Sequence, residues 1–524
     1  MIPVWINKPQ FEYDIHSLVK AFFPADEVKV FCAEDGTVQT GGRIRRSGTG
    51  EKDKMDGEGI LLRICFLENG ITMELERVRT VKPEEMFGTQ DAGHAEGTEQ
   101  VRETGFCIQT QYAEGTPRTE VKNLLKQLIY QGLSEYSGKE LPWGTLTGIR
   151  PTKIPMTMLE EGKGEEEILD YMKKTYFTSG IKARLSLDIA GRERKLLSTL
   201  HYKDGCSLYI GIPFCPTTCL YCSFTSYPIA AWRKRVGEYL DALEKEIAYT
   251  ADTFRGKILD TIYIGGGTPT TLEPCGLERL LQTVCRYFDM GGVQEFTVEA
   301  GRADSITAEK LRVLKKYGIT RISVNPQTMK EETLRLIGRK HTVEQVKEAF
   351  AAAREEGFDN INMDIILGLP EETEEDVRHT VEEIGKLAPD SLTVHSLAIK
   401  RASALSQWIG KNGIHTLHNT DATMDIAAKA AEAMGMEPYY LYRQKNMSGN
   451  LENVGYAREG KYGIYNILMM EEVQTIVACG AGSVSKRVYP DGRIERSENV
   501  KDVALYIQKI DEMIERKRKL LTDF

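Results

Sequence analysis

"YIGIPFCPTTCLYC", residues 209–222, runs from a short apolar, strand-like stretch straight into three cysteines spaced C-x3-C-x2-C. Cys215, Cys219 and Cys222 fall within eight residues, whereas the other seven of the ten cysteines are scattered at positions 32, 65, 107, 206, 275, 285 and 479. A reducing compartment keeps thiols unpaired, so a cluster this tight reads as a metal site rather than a disulfide framework. The seven scattered thiols read mostly as small buried hydrophobes. A loop this short can wrap three thiolates around one face of a cubic iron-sulfur cluster, each on a different iron, and leave the last iron without a protein ligand. A structural zinc ion is the main alternative, but it needs four ligands, and no second cysteine pair or nearby histidine completes the set. A redox pair of Cys219 and Cys222 leaves Cys215 without a role.

Outward from this loop the chain alternates between apolar strands and amphipathic helices. The strand candidates are "SLYIGIP" (207–213), "LDTIYIG" (259–265), "QEFTVEA" (294–300), "ITRISVN" (319–325), "NINMDIILG" (360–368) and "SLTVHSLAI" (391–399). Such repetition predicts parallel β/α units, and six of them make an open, partial barrel of the α/β class with functional groups at the carboxyl ends of the strands. This core spans 205–400. Before it, residues 1–110 read as a β-rich part of an N-terminal α+β domain. There "GILLRICFLENGITMELERV" (59–78) predicts a hairpin turning at Asn69-Gly70 with positive φ, between polar loops at 41–59 and 88–100. Residues 111–204 read as helical: Val121, Leu124, Leu125, Leu128 and Ile129 share one helix face, and an irregular loop "WGTLTGIRPTK" (143–153) carries Arg150 and Lys153. Residues 401–524 read as a mixed C-terminal region, expected on the substrate side.

At 524 residues the chain is long enough for more than one core. A formal charge of -9 argues against a phosphate-tracking surface, so no nucleic acid is expected. No apolar run reaches the roughly 20 residues of a bilayer span, and the first residues lack the zones of a signal peptide. The expectation is a cytoplasmic protein without membrane insertion.

The cysteine spacing, the strand before it and Tyr221 beside the last cysteine resemble the radical S-adenosylmethionine (SAM) enzymes. "GGGTPT" (265–270), "EA" (299–300), "PQT" (326–328) and "DIILGLP" (364–370) extend the resemblance to the oxygen-independent coproporphyrinogen III oxidase group. "WGTLTGIRPTK" and "YYLYRQKNMSGNLENVGYA" (439–457) agree with its HemZ-type branch. The resemblance implies a TIM-like radical SAM barrel that holds a 4Fe-4S cluster on Cys215, Cys219 and Cys222. It implies cofactor contacts from Tyr209, Tyr221, Gly266, Gly267, Thr268, Glu299, Gln327, Arg339, Asp364 and Ala398. The glycines also have a physical reason to be there, since residues without Cβ let the backbone approach a ligand.

The implied reaction is conversion of two propionates of coproporphyrinogen III to vinyl groups in haem biosynthesis, giving protoporphyrinogen IX. A reductant such as flavodoxin or ferredoxin would supply electrons. A substrate with four carboxylates needs basic partners, for which Arg150, Lys153, Arg443 and Lys445 are candidates. Three positions depart from the related patterns. Gly211 stands where the better-known oxidases carry a histidine, and Phe224 where they carry a further cysteine. "ENVGYA" (452–457) lacks the histidine and tryptophan of the HemW-type haem chaperones. A haem- or porphyrin-binding chaperone and a haem-degrading radical SAM methyltransferase are the competing expectations.

Overall fold

The computed structural model describes residues 1–24, 26–32, 58–81, 99–400, 403–413, 416–444 and 451–522. Two compact units divide the chain: Met1–Gly148 with Gly164–Arg184, and Ile149–Lys163 with Leu185–Phe524.

Among the described residues the first unit holds five strands, β1 (Ile2–Ile6), β2 (Val28–Cys32), β3 (Glu58–Leu67), β4 (Gly70–Val81) and β5 (Glu99–Gln111), in the order β2-β1-β3-β4-β5. β1 runs parallel to both neighbours, while β3, β4 and β5 form an antiparallel meander. Alternation sets the core: Val4, Ile6, Leu62, Ile64, Ile71, Met73 and Leu75 are buried together with Leu125, Leu128, Ile129 and Leu133 of the helix Arg118–Ser137. The predicted hairpin is present, but its turn differs. Leu67 pairs with Gly70, so Glu68 and Asn69 make the loop, and neither Asn69 nor Gly70 has positive φ. Glycine at 70 answers a different constraint, because a Cβ there would lie 2.8 Å from the Thr110 carbonyl oxygen. The polar loops read at 41–59 and 88–100 lie outside the described residues except for their last two positions, which are strand.

Among the described residues the second unit is built on one sheet of eleven strands. The six predicted strands are β6 (Gly205–Ile212), β9 (Ile258–Gly266), β10 (Glu295–Gly301), β11 (Arg321–Val324), β12 (Ile361–Leu367) and β13 (Ser391–Ser396). They lie side by side in chain order and all parallel. Between β6 and β9 come two short strands, β7 (Phe214–Cys215) and β8 (Tyr227–Pro228), paired with each other. The C-terminal region extends the sheet at both ends. β14 (Glu437–Tyr442) and β15 (Asn453–Ala457) add antiparallel beyond β13. β16 (Thr475–Cys479) lies parallel to β6 as a seventh parallel strand, followed by β17 (Val484–Val488) and β18 (Ile494–Glu498). The alternation in the sequence did not point to that seventh strand.

The connecting helices start where their sequences say they should. Thr342 with Gln345, and Thr373 with Asp376, form reciprocal caps on the helices Val343–Glu355 and Glu374–Leu387. Glycines at positive φ follow several helices, Gly318 and Gly357 among them.

Of the seven scattered cysteines, only Cys206 and Cys479 are buried, on the neighbouring strands β6 and β16. Cys32, Cys107 and Cys275 are exposed and Cys65 and Cys285 half-buried, which corrects the expectation of a mostly buried set. The reason is position: β2 and β5 are the edges of the first sheet, and Cys275 opens the surface helix Pro274–Tyr287.

Candidate functional site

The cysteine loop is fastened at its base and along its length. Phe214 pairs with Tyr227, and the Tyr227 N–H donates to the Pro213 carbonyl at 2.8 Å. Leu220 donates to Ile337 and accepts from Leu405, at 3.0 and 2.9 Å. Arg302 holds the loop from below: its Nη1 donates to Thr217 Oγ1 at 2.7 Å and reaches Cys219 Sγ at 3.9 Å, while Asp304 takes the other side of the guanidinium. Sequence reasoning missed Arg302, because nothing in its local pattern separates it from a surface charge.

The glycine run at the end of β9 lies directly behind the cysteines. Gly266 has φ +107°, and a Cβ on Gly267 would sit 2.5 Å from the Phe214 carbonyl oxygen and 3.0 Å from Cys215 Sγ. Only glycine fits this approach. Thr268 follows, its N–H donating to Phe214 and its hydroxyl 3.4 Å from Cys215 Sγ.

These pieces open on a cavity of about 390 Å³ at the carboxyl ends of the parallel strands. Its wall includes Cys215, Cys219, Cys222, Tyr221, Gly266, Gly267, Thr268, Glu299, Gln327, Arg339, Asp364 and Ala398, twelve of the thirteen cluster and cofactor positions proposed from the sequence. Tyr209 is not in the wall. It stacks with Tyr263 and Tyr465, with ring centroids 6.2 and 6.3 Å away. Phe224, at the missing-cysteine position, is 77% exposed at the rim.

The polar lining is arranged by strand alternation. Glu299 accepts a 2.5 Å hydrogen bond from Tyr263, and burial pushes its carboxyl up to about 7 against that hydrogen bond. Asp364 is also desolvated, yet His395, 3.8 Å away, and hydrogen bonds from neighbours such as Asn362 hold it below its ordinary value. Gln327 has φ +71°, an uncommon conformation for a residue with a side chain. Its backbone bridges to β12, donating to Asp364 and accepting from Ile366, both at 3.0 Å. Arg339 donates to Tyr221 at 3.1 Å and to the Asn325 carbonyl.

Among the described residues, four buried polar atoms in this wall have no hydrogen-bond partner: Ser323 Oγ, Asn325 Oδ1, Gln327 Oε1 and Arg339 Nε. Unpaired buried polar groups are costly, so such a group of them calls for a polar ligand. Sequence reasoning did not single out Ser323, Asn325, Asn362, Thr393 or His395. The signal was there: in "RISVNPQ" and "NINMD" polar residues alternate with apolar ones that face the helices.

The residues present fit an iron-sulfur cluster and a polar cofactor. Burial pushes the Cys215 thiol up to about 11 and raises Cys222 as well, so their thiolates need a cation to neutralise them. Among the described residues no three His, Cys, Asp or Glu side chains already converge on a single ion. The orphaned atoms and the glycine cradle fit an amino acid and ribose beside them.

The basic candidates fare differently. Arg150 donates to the Met470 and Glu471 carbonyls at 3.1 and 2.8 Å and pairs with Glu472 at 3.0 Å, so it caps the helix Ile464–Glu471 and is not left for an anion. Lys153 is exposed and outside the wall. Tyr440, Tyr442 and Gln444 line the cavity, and alternation turns Arg443 away from it. Burial brings that guanidinium down to about 10, with Glu452 opposing. Lys445 lies outside the described residues.

Residues 209–384 match the Radical SAM superfamily model. The oxygen-independent coproporphyrinogen-III oxidase-like protein HemZ of Bacillus subtilis is 42% identical over 407 residues, 77% of this chain and 81% of that protein. The haem chaperone HemW of the same organism is 36% identical over 238 residues, 45% of this chain and 62% of that protein. The oxygen-independent coproporphyrinogen III oxidase of Escherichia coli is 33% identical over 192 residues, 37% of this chain and 42% of that protein. The radical SAM family uses a 4Fe-4S cluster and SAM. No described helix is long and apolar enough to cross a membrane. The chain therefore belongs to the radical SAM superfamily, in the family of the HemZ-type coproporphyrinogen-III oxidase-like proteins.

Proposed function

We propose that the protein is an oxygen-independent coproporphyrinogen III dehydrogenase, which oxidatively decarboxylates two propionates of its substrate and yields protoporphyrinogen IX. The observation that carries the reading is the cavity wall, where three thiols, the glycine cradle and four orphaned polar atoms share one space. The names of the Bacillus HemZ and Escherichia oxidase relatives support the substrate.

In this reading Cys215, Cys219 and Cys222 hold the cluster. The backbone of Gly266, Gly267 and Thr268 receives the amino acid part of SAM, Arg339 its carboxylate, Glu299 its amino group, and Gln327 and Asp364 its ribose. Tyr221, Tyr209 and Ala398 complete the surroundings, with Tyr209 acting through the ring it stacks on. When bound there, cluster and cofactor would supply the radical chemistry that removes hydrogen from a propionate. The protein's part is to fix the propionate against the cofactor and keep water away, which the tyrosines of β14 and the rim favour. Each propionate then loses one hydrogen atom, carbon dioxide and one further electron to an acceptor.

Residues 205–400 are proposed as the catalytic core, 1–110 and 111–204 as the preceding parts, and 401–524 as the substrate-side region. A one-electron donor of the flavodoxin or ferredoxin kind, a cytoplasmic setting, no nucleic acid and no membrane insertion belong to the same proposal.

The 36% identity to a haem chaperone favours a second reading, haem or porphyrin carriage without oxidation. Anaerobic incubation of reconstituted protein with SAM, a reductant and coproporphyrinogen III decides between them. The oxidase reading expects 5'-deoxyadenosine and protoporphyrinogen to rise together. Stable haem binding with neither product establishes the chaperone reading. Deoxyadenosine without porphyrin product moves the radical chemistry to another substrate, such as a haem-degrading methylation.

A further inference from the structure

Among the described residues, five side chains able to carry positive charge line the cavity: Arg302, Arg321, Arg339, His395 and Lys400. Four of them are engaged by the protein. Arg302 is taken by Asp304 and Thr217. Arg321 donates to Asn360 Oδ1 at 2.7 Å and to the Lys461 carbonyl at 2.9 Å. Arg339 is held by Tyr221 and Asn325. His395 lies between Asp364 at 3.8 Å and the Tyr442 hydroxyl at 3.5 Å.

Lys400 is different. It is half-buried, and its ammonium has neither a carboxylate nor a hydrogen-bond acceptor among the described residues. Burial alone lowers its pKa. Its backbone, in contrast, is firmly placed. Leu397 donates to Leu367 at 3.0 Å, and both the N–H and the hydroxyl of Ser403 donate to the Lys400 carbonyl, at 3.0 and 2.8 Å. The fold thus fixes a lysine at the cavity wall, and no described residue answers its charge. A partly desolvated cation without a partner is an unfavourable thing for a protein to keep, unless an anion arrives to meet it.

The functional reading above assigns the carboxylate of SAM to Arg339, which leaves Lys400 for a second anion. Resting on that reading, we propose that Lys400 anchors a propionate carboxylate of the tetrapyrrole substrate. It takes the place of Arg150, which caps a helix, and of Arg443, which is not in the cavity wall. An ammonium suits this task, since it meets the carboxylate as a point charge and tolerates more than one orientation while two propionates react in turn.

Anaerobic binding to the reconstituted full-length protein tests the assignment. The probes are coproporphyrin III, its tetramethyl ester dispersed in detergent, and SAM, each titrated against wild type, Lys400→Met and Lys400→Arg. Loss of one charge-assisted hydrogen bond predicts that Lys400→Met weakens coproporphyrin III binding about tenfold. Lys400→Arg should stay near wild type, and the uncharged ester should bind wild type and Lys400→Met alike. SAM affinity and substrate-free 5'-deoxyadenosine formation should not change. Equal coproporphyrin affinity in wild type and Lys400→Met overturns the anchor alone. So does a loss of SAM affinity with porphyrin binding intact, which would place Lys400 on the cofactor. A wild-type protein that takes up no coproporphyrin overturns the functional reading, and the anchor with it.

Discussion

Glu246 and Glu299 belong to the same unit and live under opposite conditions. Glu246, on the helix Val236–Thr253, is buried and answered on every side: Gly480 N–H, the Tyr506 hydroxyl, the Asn499 amide and the Lys517 ammonium donate to it at 2.6–2.7 Å. Lys517 donates in addition to the Ala478 carbonyl at 2.7 Å. This network ties the loop after β16 and the helix Ile510–Leu520 to the barrel. Glu299, at the end of β10, accepts from the Tyr263 hydroxyl and the Gly266 N–H, has Asp364 and His395 in its field, and shares its cavity wall with four polar atoms that have no partner among the described residues. A satisfied polar cluster is a structural fastening, whereas an unsatisfied one is a place prepared for a ligand.

The largest effect expected is in the satisfied cluster. Glu246→Ala strands the Lys517 ammonium and should cost about 3–5 kcal/mol of stability, read by urea unfolding. A loss under about 1 kcal/mol would remove the contrast between the two regions.

The opposite sign is expected at Glu299. Its carboxyl is raised from the ordinary 4.5 to about 7 in the folded chain, so the folded state holds the proton more tightly than the unfolded one. Stability without cofactor then falls as pH rises from about 4.5 to 7, by roughly 2–3 kcal/mol from this group, and stays lower above that window. Glu299→Gln should flatten this slope and be the more stable protein at about pH 8. A slope that survives the substitution would show that other groups carry it.

Gly267→Ala places a methyl group 2.5 Å from the Phe214 carbonyl oxygen. We expect a stability loss of about 1–3 kcal/mol with displacement of Cys215, read as iron bound per chain after reconstitution. Smallest of all, Gln327→Gly relieves a left-handed conformation and should gain up to about 1 kcal/mol in the cofactor-free protein while weakening SAM binding. A loss of both would mean that Gln327 is structural.

Much of this contrast is legible in the amino-acid sequence. The cysteine spacing, the glycine run and the six strands sit in one continuous series, and local alternation fixes which face of each strand is polar. The site side chains can therefore be found by counting along strands from a known loop. Contact between distant segments cannot be counted in this way. Arg150 caps a helix more than three hundred residues later, β16 inserts beside β6, and Lys517 reaches Glu246 across the unit. Nothing in the local sequence around these residues states their partners. Lys400 is hidden for the same reason, since only its lack of a described partner distinguishes it from an ordinary lysine.

The central claim is that Cys215, Cys219 and Cys222 leave one iron of a cluster free for SAM. Electron paramagnetic resonance of the anaerobically reconstituted, reduced protein, before and after SAM is added, tests it most directly. A reduced-cluster signal that shifts on addition of SAM, from protein carrying about four irons per chain, and that disappears in Cys219→Ser, is the predicted result. A signal unaltered by SAM, or a full iron content in the Cys219→Ser variant, would contradict it.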